Sequence, residues 1–355
     1  MLSPPHPHAP AGVNPASALG LTLMIAGWVL AASLAVAQPA PLPARPSPSV
    51  GALVGEYGEG KARLVLRESN GALEISTDGK TFEPVCDIKS DLYQAAGVGA
   101  FKVERGVPVA TAKGSAVQSV VQGISIGTTF LARRDFGGSE GVFHIVPVRP
   151  VADLAKEVKS LSPPKETGEF LRSDLVDVRS LDKSIALDVR YATTANFLQT
   201  PVYGKAQVRL QRPAAEALVR AHRALKSKGY GLMLHDGYRP WSVTWIFWNA
   251  TPDASHDFVA DPSQGSKHNR GCAIDLTLFD LKTKKAVDMP GLYDEMSPRS
   301  YPDYQGGTAR QRALREILRR AMENEGFTVY DAEWWHFDYK DWQRYAIGTE
   351  VWWKN

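Results

Sequence analysis

The sequence predicts an α+β domain, with helices packed on an antiparallel or mixed sheet, preceded by a small all-β domain. Residues 51–150 contain short alternating or β-branched runs separated by turn signals, which is typical of a β sandwich or barrel. From about residue 169, amphipathic helical runs alternate with strand-like runs, and nearly all Trp and Tyr residues lie there. We therefore place the α+β domain at 169–355.

Composition and charge limit the classes of function. The chain has 355 residues with 41 Lys and Arg against 38 Asp and Glu, a net charge of +3. Because a nucleic-acid-binding surface usually needs a basic stripe, we expect no nucleic-acid partner. The two cysteines, Cys86 and Cys272, rule out a disulfide framework and a cysteine-rich zinc module, and we expect two separate thiols. Any metal must then be held by His and carboxylates.

The N-terminal residues have the pattern of an export signal. Residues 1–37 contain no Lys, Arg, Asp or Glu, and the apolar run 19–37 ends in an A-x-A cleavage pattern. The sequence predicts a signal peptide at 1–37 and an extended Pro-rich linker at 38–50. The protein is then exported, to the periplasm or cell envelope. An uncleaved membrane anchor is the alternative, because the run is nearly long enough to span a bilayer.

Local signals predict the elements of the first half. The stretch 63–76, RLVLRESNGALEIS, predicts a hairpin around Asn70-Gly71. The run 142–148, VFHIVPV, predicts a strand in which His144 has a structural role. Residues 151–168 contain Ser-Pro-Pro and are predicted to be a linker that follows a short helical stretch.

Two helices with clear stop signals are predicted in the second half. The runs 212–228 and 308–325 have helical periodicity, and each is followed by a glycine, Gly229 and Gly326. Strand-like runs follow both helices, and the run 273–281 adds another strand between them. The sequence has no GxGxxG, Walker or GxSxG motif, which disfavours nucleotide-binding and serine-hydrolase functions.

Two histidines lie in settings typical of a metal site. His268 precedes Asp275 by seven residues, and Asp275 lies at the start of a predicted strand; Glu333 precedes His336 by three residues among bulky aromatics. Two imidazoles and a carboxylate are a common ligand set for catalytic Zn²⁺, and a nearby unligated Glu can take a proton from the attacking water. Each short motif alone occurs by chance, but their combination predicts a zinc hydrolase.

A candidate cation follows the strand GLMLHD. The segment 235–240, HDGYRP, holds Arg239 between turn-forming Gly237 and Pro240. The guanidinium can bind a carboxylate or a developing oxyanion. A plain surface turn is the alternative, because these residues also favour turns.

The segments DGYRP, SKHNRGCAIDLTL and EWWHFDY resemble the VanX-type D-alanyl-D-alanine dipeptidases, a branch of the zinc peptidases that act on D-amino acids in cell-wall peptides. The resemblance covers about 170–345 and leaves 51–150 unmatched. It includes the run 189–197, which is similar to the family's N-terminal substrate-binding segment, and the run 293–300, which is similar to the family's segment beyond the metal strand. It implies an α+β zinc peptidase domain with one Zn²⁺ bound by His268, Asp275 and His336.

The same resemblance implies roles for the other matched residues. Glu333 would be the general base toward the attacking water and then the acid toward the leaving amine. Arg239 would stabilise the tetrahedral intermediate. Tyr191, Ser266 and Asp294 would recognise the substrate, with Asp294 paired to its free ammonium group.

The expected function is zinc-dependent hydrolysis of the dipeptide D-Ala-D-Ala to two D-Ala. Two alternatives stay open. One is a zinc D,D-carboxypeptidase or endopeptidase that acts on longer cell-wall peptides, and the other is a wall-peptide-binding protein without turnover. The expected partner is the small dipeptide, and we expect the β domain to contact the cell wall or envelope.

Overall fold

The computed structural model describes residues 41–106, 120–139 and 141–353. From Leu42 onward the chain forms one compact unit. The predicted signal peptide at 1–37 lies outside the described residues. No helix in the described part of the chain is long and apolar enough to cross a membrane.

The first half is a meander of antiparallel strands, which we call the β module (residues 55–132). One sheet has the order β1-β2-β3-β4 and a second the order β5-β6-β7-β8-β9. The strands are Gly55–Tyr57 (β1), Leu64–Ser69 (β2), Ala72–Ser76 (β3), Glu83–Pro84 (β4), Cys86–Lys89 (β5), Leu92–Ala95 (β6), Gly99–Arg105 (β7), Val121–Ile126 (β8) and Thr129–Ala132 (β9).

Both sheets bury their side chains in one core, and the end of β9 hydrogen bonds to β1, where the Gly58 amide donates to the Ala132 carbonyl at 2.8 Å. The predicted hairpin is confirmed: β2 and β3 pair around Asn70 and Gly71, both with positive φ. The all-β character of this half is confirmed too, but it lies in the same compact unit as the second half.

The helix Pro48–Leu53 precedes the β module and buries Leu53 in its core, and the other helices and strands follow the module. The helices are Pro48–Leu53 (α1), Val151–Glu157 (α2), Val178–Leu181 (α3), Arg212–Lys226 (α4), Trp241–Ala250 (α5) and Ala309–Glu323 (α6). The strands are Gly138–Ser139 (β10), Val142–Phe143 (β11), Leu175–Asp177 (β12), Ala186–Leu187 (β13), Arg209–Gln211 (β14), Tyr230–Asp236 (β15), Ala273–Asp280 (β16), Phe327–Tyr330 (β17) and Glu333–Tyr339 (β18).

A five-stranded mixed sheet forms the centre of the second half, in the order β13-β15-β16-β18-β17. β13 is parallel to β15, and the other neighbours are antiparallel. The α+β prediction is therefore confirmed. Both long helices occur where the periodicity predicts them, and Gly229 and Gly326 have positive φ just beyond them, as a helix stop requires.

Three predicted boundaries differ from the structure. Helix α1 begins inside the expected extended linker 38–50, because the Ser47 hydroxyl caps it and Pro48 is suited to its first turn. Only 142–143 of the predicted strand 142–148 pair in a ladder. Phe143 and the helix Val151–Glu157, the short helical stretch expected before the linker, contribute to the main core, so the predicted β domain 51–150 ends too late.

The remaining structural expectations concern two histidines and the cysteines. His144 lies outside a ladder, with its Nδ1 3.3 Å from the Asn196 carbonyl oxygen. His235 is buried and stacks on Tyr293 with ring centroids 4.3 Å apart. Both cysteines are free thiols, as predicted, and Cys272 is buried.

Candidate metal and catalytic site

Three separate elements bring the predicted ligands together. Asp275 on β16 lies directly opposite His336 on β18 in the strand register, and His268 begins a short 3₁₀ turn just before β16. Asp275 Oδ1 is 3.3 Å from His268 Nε2 and 3.1 Å from His336 Nδ1, and the two ring nitrogens are 3.1 Å apart. The three atoms therefore converge on one point.

In each imidazole, the nitrogen that does not face Asp275 contacts an oxygen atom of another group. His268 Nδ1 lies 2.7 Å from the Gly237 carbonyl oxygen, and His336 Nε2 lies 2.9 Å from Asp338 Oδ1. A nitrogen facing a carbonyl or carboxylate oxygen carries the proton, so the other nitrogen of each ring keeps its lone pair for a metal.

This donor set fits a Zn²⁺ ion. Asp275 Oδ1 is buried and lacks a hydrogen-bond partner among the described residues. Tetrahedral ligands about 2.1 Å from zinc lie about 3.4 Å apart, close to the separations found here. Burial disfavours a charged His336, yet Asp338 and Asp275 raise its pKa to about 10, so the pocket favours positive charge.

Arg239 lies buried beside the ligands. Its Nε donates to Asp236 Oδ2 at 2.8 Å, and its Nη2 is 3.6 Å from Asp275 Oδ2. The rings of Tyr191 and Phe247 cover the guanidinium. The surface-turn alternative is therefore wrong, since the side chain is fixed at the wall of the cavity.

Glu333 faces the same point from the start of β18. Its Oε2 is 3.6 Å from His336 Nδ1, and Glu333 is not one of the three side chains whose atoms converge as a metal-binding group. Burial raises the pKa of Glu333 to about 8; His336 opposes the rise and Asp275 adds to it. The carboxylate can therefore hold a proton near neutral pH, as a group that takes and returns one needs to.

The predicted substrate residues line one cavity of about 400 Å³ together with the ligands, Glu333 and Arg239. The Tyr191 hydroxyl donates to Asp294 Oδ1 at 2.9 Å, while Asp294 Oδ2 is buried without a partner among the described residues. Burial raises the pKa of Asp294 to about 8, and Asp275 adds to the rise. Ser266 also lines the cavity, and its hydroxyl accepts the His268 amide.

Sequence reasoning missed several supporting residues. Asp338 binds His336, and Lys267 Nζ lies 2.6 Å from Asp338 Oδ2. The Tyr293 hydroxyl donates to Asp275 Oδ2 at 3.2 Å. One signal was available: His336 and Asp338 are two residues apart on a strand, so both side chains point to the same face.

The fold and this donor set define the class of a metallopeptidase. The peptidase M15 family model, D-Ala-D-Ala dipeptidase, matches residues 172–347. The chain is 37% identical over 175 residues to a D-alanyl-D-alanine dipeptidase of Enterococcus faecium, spanning 43% of this chain and 85% of the relative. The enzyme of the same name from Escherichia coli is 32% identical (47% of this chain, 84% of the relative), and that of Streptomyces coelicolor 33% (48% and 94%).

The chain therefore belongs to the D-Ala-D-Ala dipeptidase family of M15 peptidases, which are zinc-dependent in general, and it is an enzyme of the metallopeptidase class. The matched region starts at residue 172, so the β module lies outside it.

Proposed function

We propose that this protein hydrolyses the dipeptide D-Ala-D-Ala to two D-Ala, with one Zn²⁺ bound by His268, Asp275 and His336. The observation that carries the proposal is the position of Asp294. Asp294 lines the same cavity as the three ligand residues, and its buried Oδ2 has no hydrogen-bond partner among the described residues. A free ammonium group there would pair with a buried carboxylate, which a peptide with a blocked amine cannot do.

The chemistry divides between the metal and the side chains. When bound, Zn²⁺ supplies a lowered pKa for the attacking water and polarises the scissile carbonyl. Glu333 takes the proton from that water at its carboxylate and returns it to the leaving amine. Arg239 presents fixed positive charge to the developing oxyanion, and Asp236 holds its orientation.

The length of the substrate is limited at the place where its ammonium group would bind. Tyr191 donates to Asp294 and fixes the carboxylate, so an acylated amine would leave Asp294 buried without its counter-charge. A longer wall peptide carries such an acyl group. The geometry therefore favours the dipeptide over the substrates of a carboxypeptidase or endopeptidase.

The direct test compares free D-Ala-D-Ala with N-acetyl-D-Ala-D-Ala on the purified, zinc-loaded protein. We expect release of D-Ala from the free dipeptide and a kcat/KM at least 100-fold lower for the acetylated form. Preference for the acetylated form would instead favour action on longer peptides. Stoichiometric zinc without turnover of either form would favour a binding protein.

The place of action and the wall contact are separate proposals. The apolar leader supports export to the periplasm or cell envelope, and N-terminal sequencing of the exported protein would show whether the chain begins at Gln38. Contact of the β module with the cell wall stays a prediction, which co-sedimentation with insoluble peptidoglycan would check.

A further inference from the structure

The loop that carries Asp294, residues 291–300, is held from inside by Glu295. This side chain is fully buried and receives Arg299 Nε at 2.7 Å and Nη2 at 2.5 Å. It also accepts the Leu292 amide and the Ser297 hydroxyl. Glu295, the residue next to Asp294, therefore ties Leu292 near the start of the loop to Arg299 near its end.

Asp294 itself has a conformation that needs such support. Its φ is +64°, in the left-handed region that non-glycine residues rarely occupy. Such a backbone conformation is strained and persists where the surrounding structure enforces it. The carboxylate that would meet the substrate ammonium is thus placed by its neighbours.

Those neighbours include the segment that leaves the β module, residues 134–139 and 141–145, which we call the connecting segment. The Phe136 ring lies 4.8 Å from Arg299 Cζ and 4.7 Å from Arg134 Cζ. Gly138 is so close to the loop that an added Cβ would lie 2.5 Å from Leu292 Cδ1. Phe136 therefore covers the arginine that closes the Asp294 loop.

The same connecting segment also contacts the chain around Tyr191. Arg190 Nη1 donates to the Gly141 carbonyl at 3.1 Å, and the Ile145 amide donates to the Phe197 carbonyl at 2.9 Å. Tyr191 and Asp294 form the hydrogen bond that defines the ammonium subsite. One segment outside the family-matched region thus touches both elements of that subsite.

We propose that Phe136 is a positioning residue, which acts through Arg299 and Glu295 to hold Asp294 where the substrate ammonium binds. By this contact the connecting segment, which the family match does not cover, adjusts substrate affinity. The inference rests on the proposed function for the identity of the ligand. The geometry of the loop can be measured without turnover.

The test uses Phe136→Ala and the milder Phe136→Leu in the full chain, with Phe136→Tyr as the conservative variant. Phe82→Ala is the matched control, because Phe82 also stacks on an arginine of the β module, Arg67, with Cζ 3.8 Å from the ring centroid. Amide hydrogen exchange of residues 291–300 is measured together with KM and kcat for D-Ala-D-Ala.

We expect Phe136→Ala and Phe136→Leu to speed exchange in 291–300 and to raise KM at least fivefold, with kcat within twofold and zinc content unchanged. Phe136→Tyr and Phe82→Ala should match the wild type in both readouts. Wild-type exchange in 291–300 for both Phe136 variants would overturn the inference, whatever the activity. Wild-type protein that does not cleave the dipeptide contradicts the proposed function only. If Phe136→Ala does not fold, Phe136→Leu decides.

Discussion

Asp338 controls which nitrogen of His336 is free to bind a metal. Its Oδ1 accepts the Nε2 proton at 2.9 Å, and Lys267 holds its other oxygen. Loss of such a carboxylate partner typically costs 10- to 100-fold in metal affinity, so we expect roughly that loss for Asp338→Asn. Competition with a chelator of known zinc affinity measures it. Asp331→Asn, an exposed Asp in the same hairpin, is the control, and equal affinity in both variants would contradict the prediction.

Glu333 separates metal binding from turnover. Because Glu333 lies outside the group of three side chains that could hold the ion, Glu333→Gln should keep stoichiometric zinc. Loss of a positioned general base lowers rates by about 10²- to 10⁴-fold, and we expect a drop of that size in kcat. Zinc content and steady-state kinetics are measured on the same sample, with Glu323→Gln as control. Full activity in Glu333→Gln would rule out its role as base.

For individual residues, the sequence indicated the candidate metal ligands better than the residues that hold the site in position. Spacing and residue type indicated His268 and His336 because metal chemistry restricts ligands to a few residue types. The contact of Tyr293 with Asp275, like that of Phe136 with Arg299, joins residues far apart in the chain. No local pattern encodes such contacts, because they depend on how the elements pack.

Elements with strong local signals were predictable, and those set by packing were not. The capping signal at Thr308 and the turn at Asn70-Gly71 each act within a few residues. The Pro-rich composition predicts an extended linker at 38–50, whereas proline is favourable in the first turn of the helix Pro48–Leu53. The run 142–148 has strand character, but its backbone bonds partly to loop carbonyls.

Thr308 stabilises the start of α6. Its hydroxyl accepts the Gln311 amide, and the Gln311 side chain accepts the Thr308 amide, which completes a capping box. Loss of such a cap typically costs about 1 kcal/mol. Thr308→Ala should therefore lower the free energy of unfolding by about that amount in urea titrations. Thr194→Ala, at an exposed loop position, should change it far less, and equal effects would argue against the cap.

His222 joins α4 to β15 and makes stability depend on pH. Its Nδ1 accepts the Leu232 amide at 3.0 Å, which requires the neutral ring, and burial lowers its pKa to about 4. The unfolded chain takes up this proton near pH 6.5, so stability is lost as pH falls from about 6.5 toward 4. His222→Gln should reduce the difference in unfolding free energy between pH 7 and pH 5. An unchanged difference would show that the ring does not titrate this way.

The described part of the chain has two apolar cores, and polar contacts join them. Glu68 of the β2–β3 hairpin accepts the Ala309 amide at the start of α6, and its own amide donates to the Gly307 carbonyl. Composition and the pattern of strand-like and helical runs predicted two halves, but not the boundary between them. Phe143 and α2 belong to the second core, where α2 packs against α5, and no local periodicity indicates this.

The metal site should contribute to the stability of the whole second half. Its ligands come from a 3₁₀ turn and two central strands, so an ion bound there binds the folded state and not the unfolded one. Removal of zinc by a chelator should therefore lower Tm by several degrees, and added zinc should restore it. His268→Ala should show little chelator dependence, because it lacks one ligand. A wild-type Tm that is the same with and without chelator would mean that the three side chains do not bind an ion tightly in the folded protein.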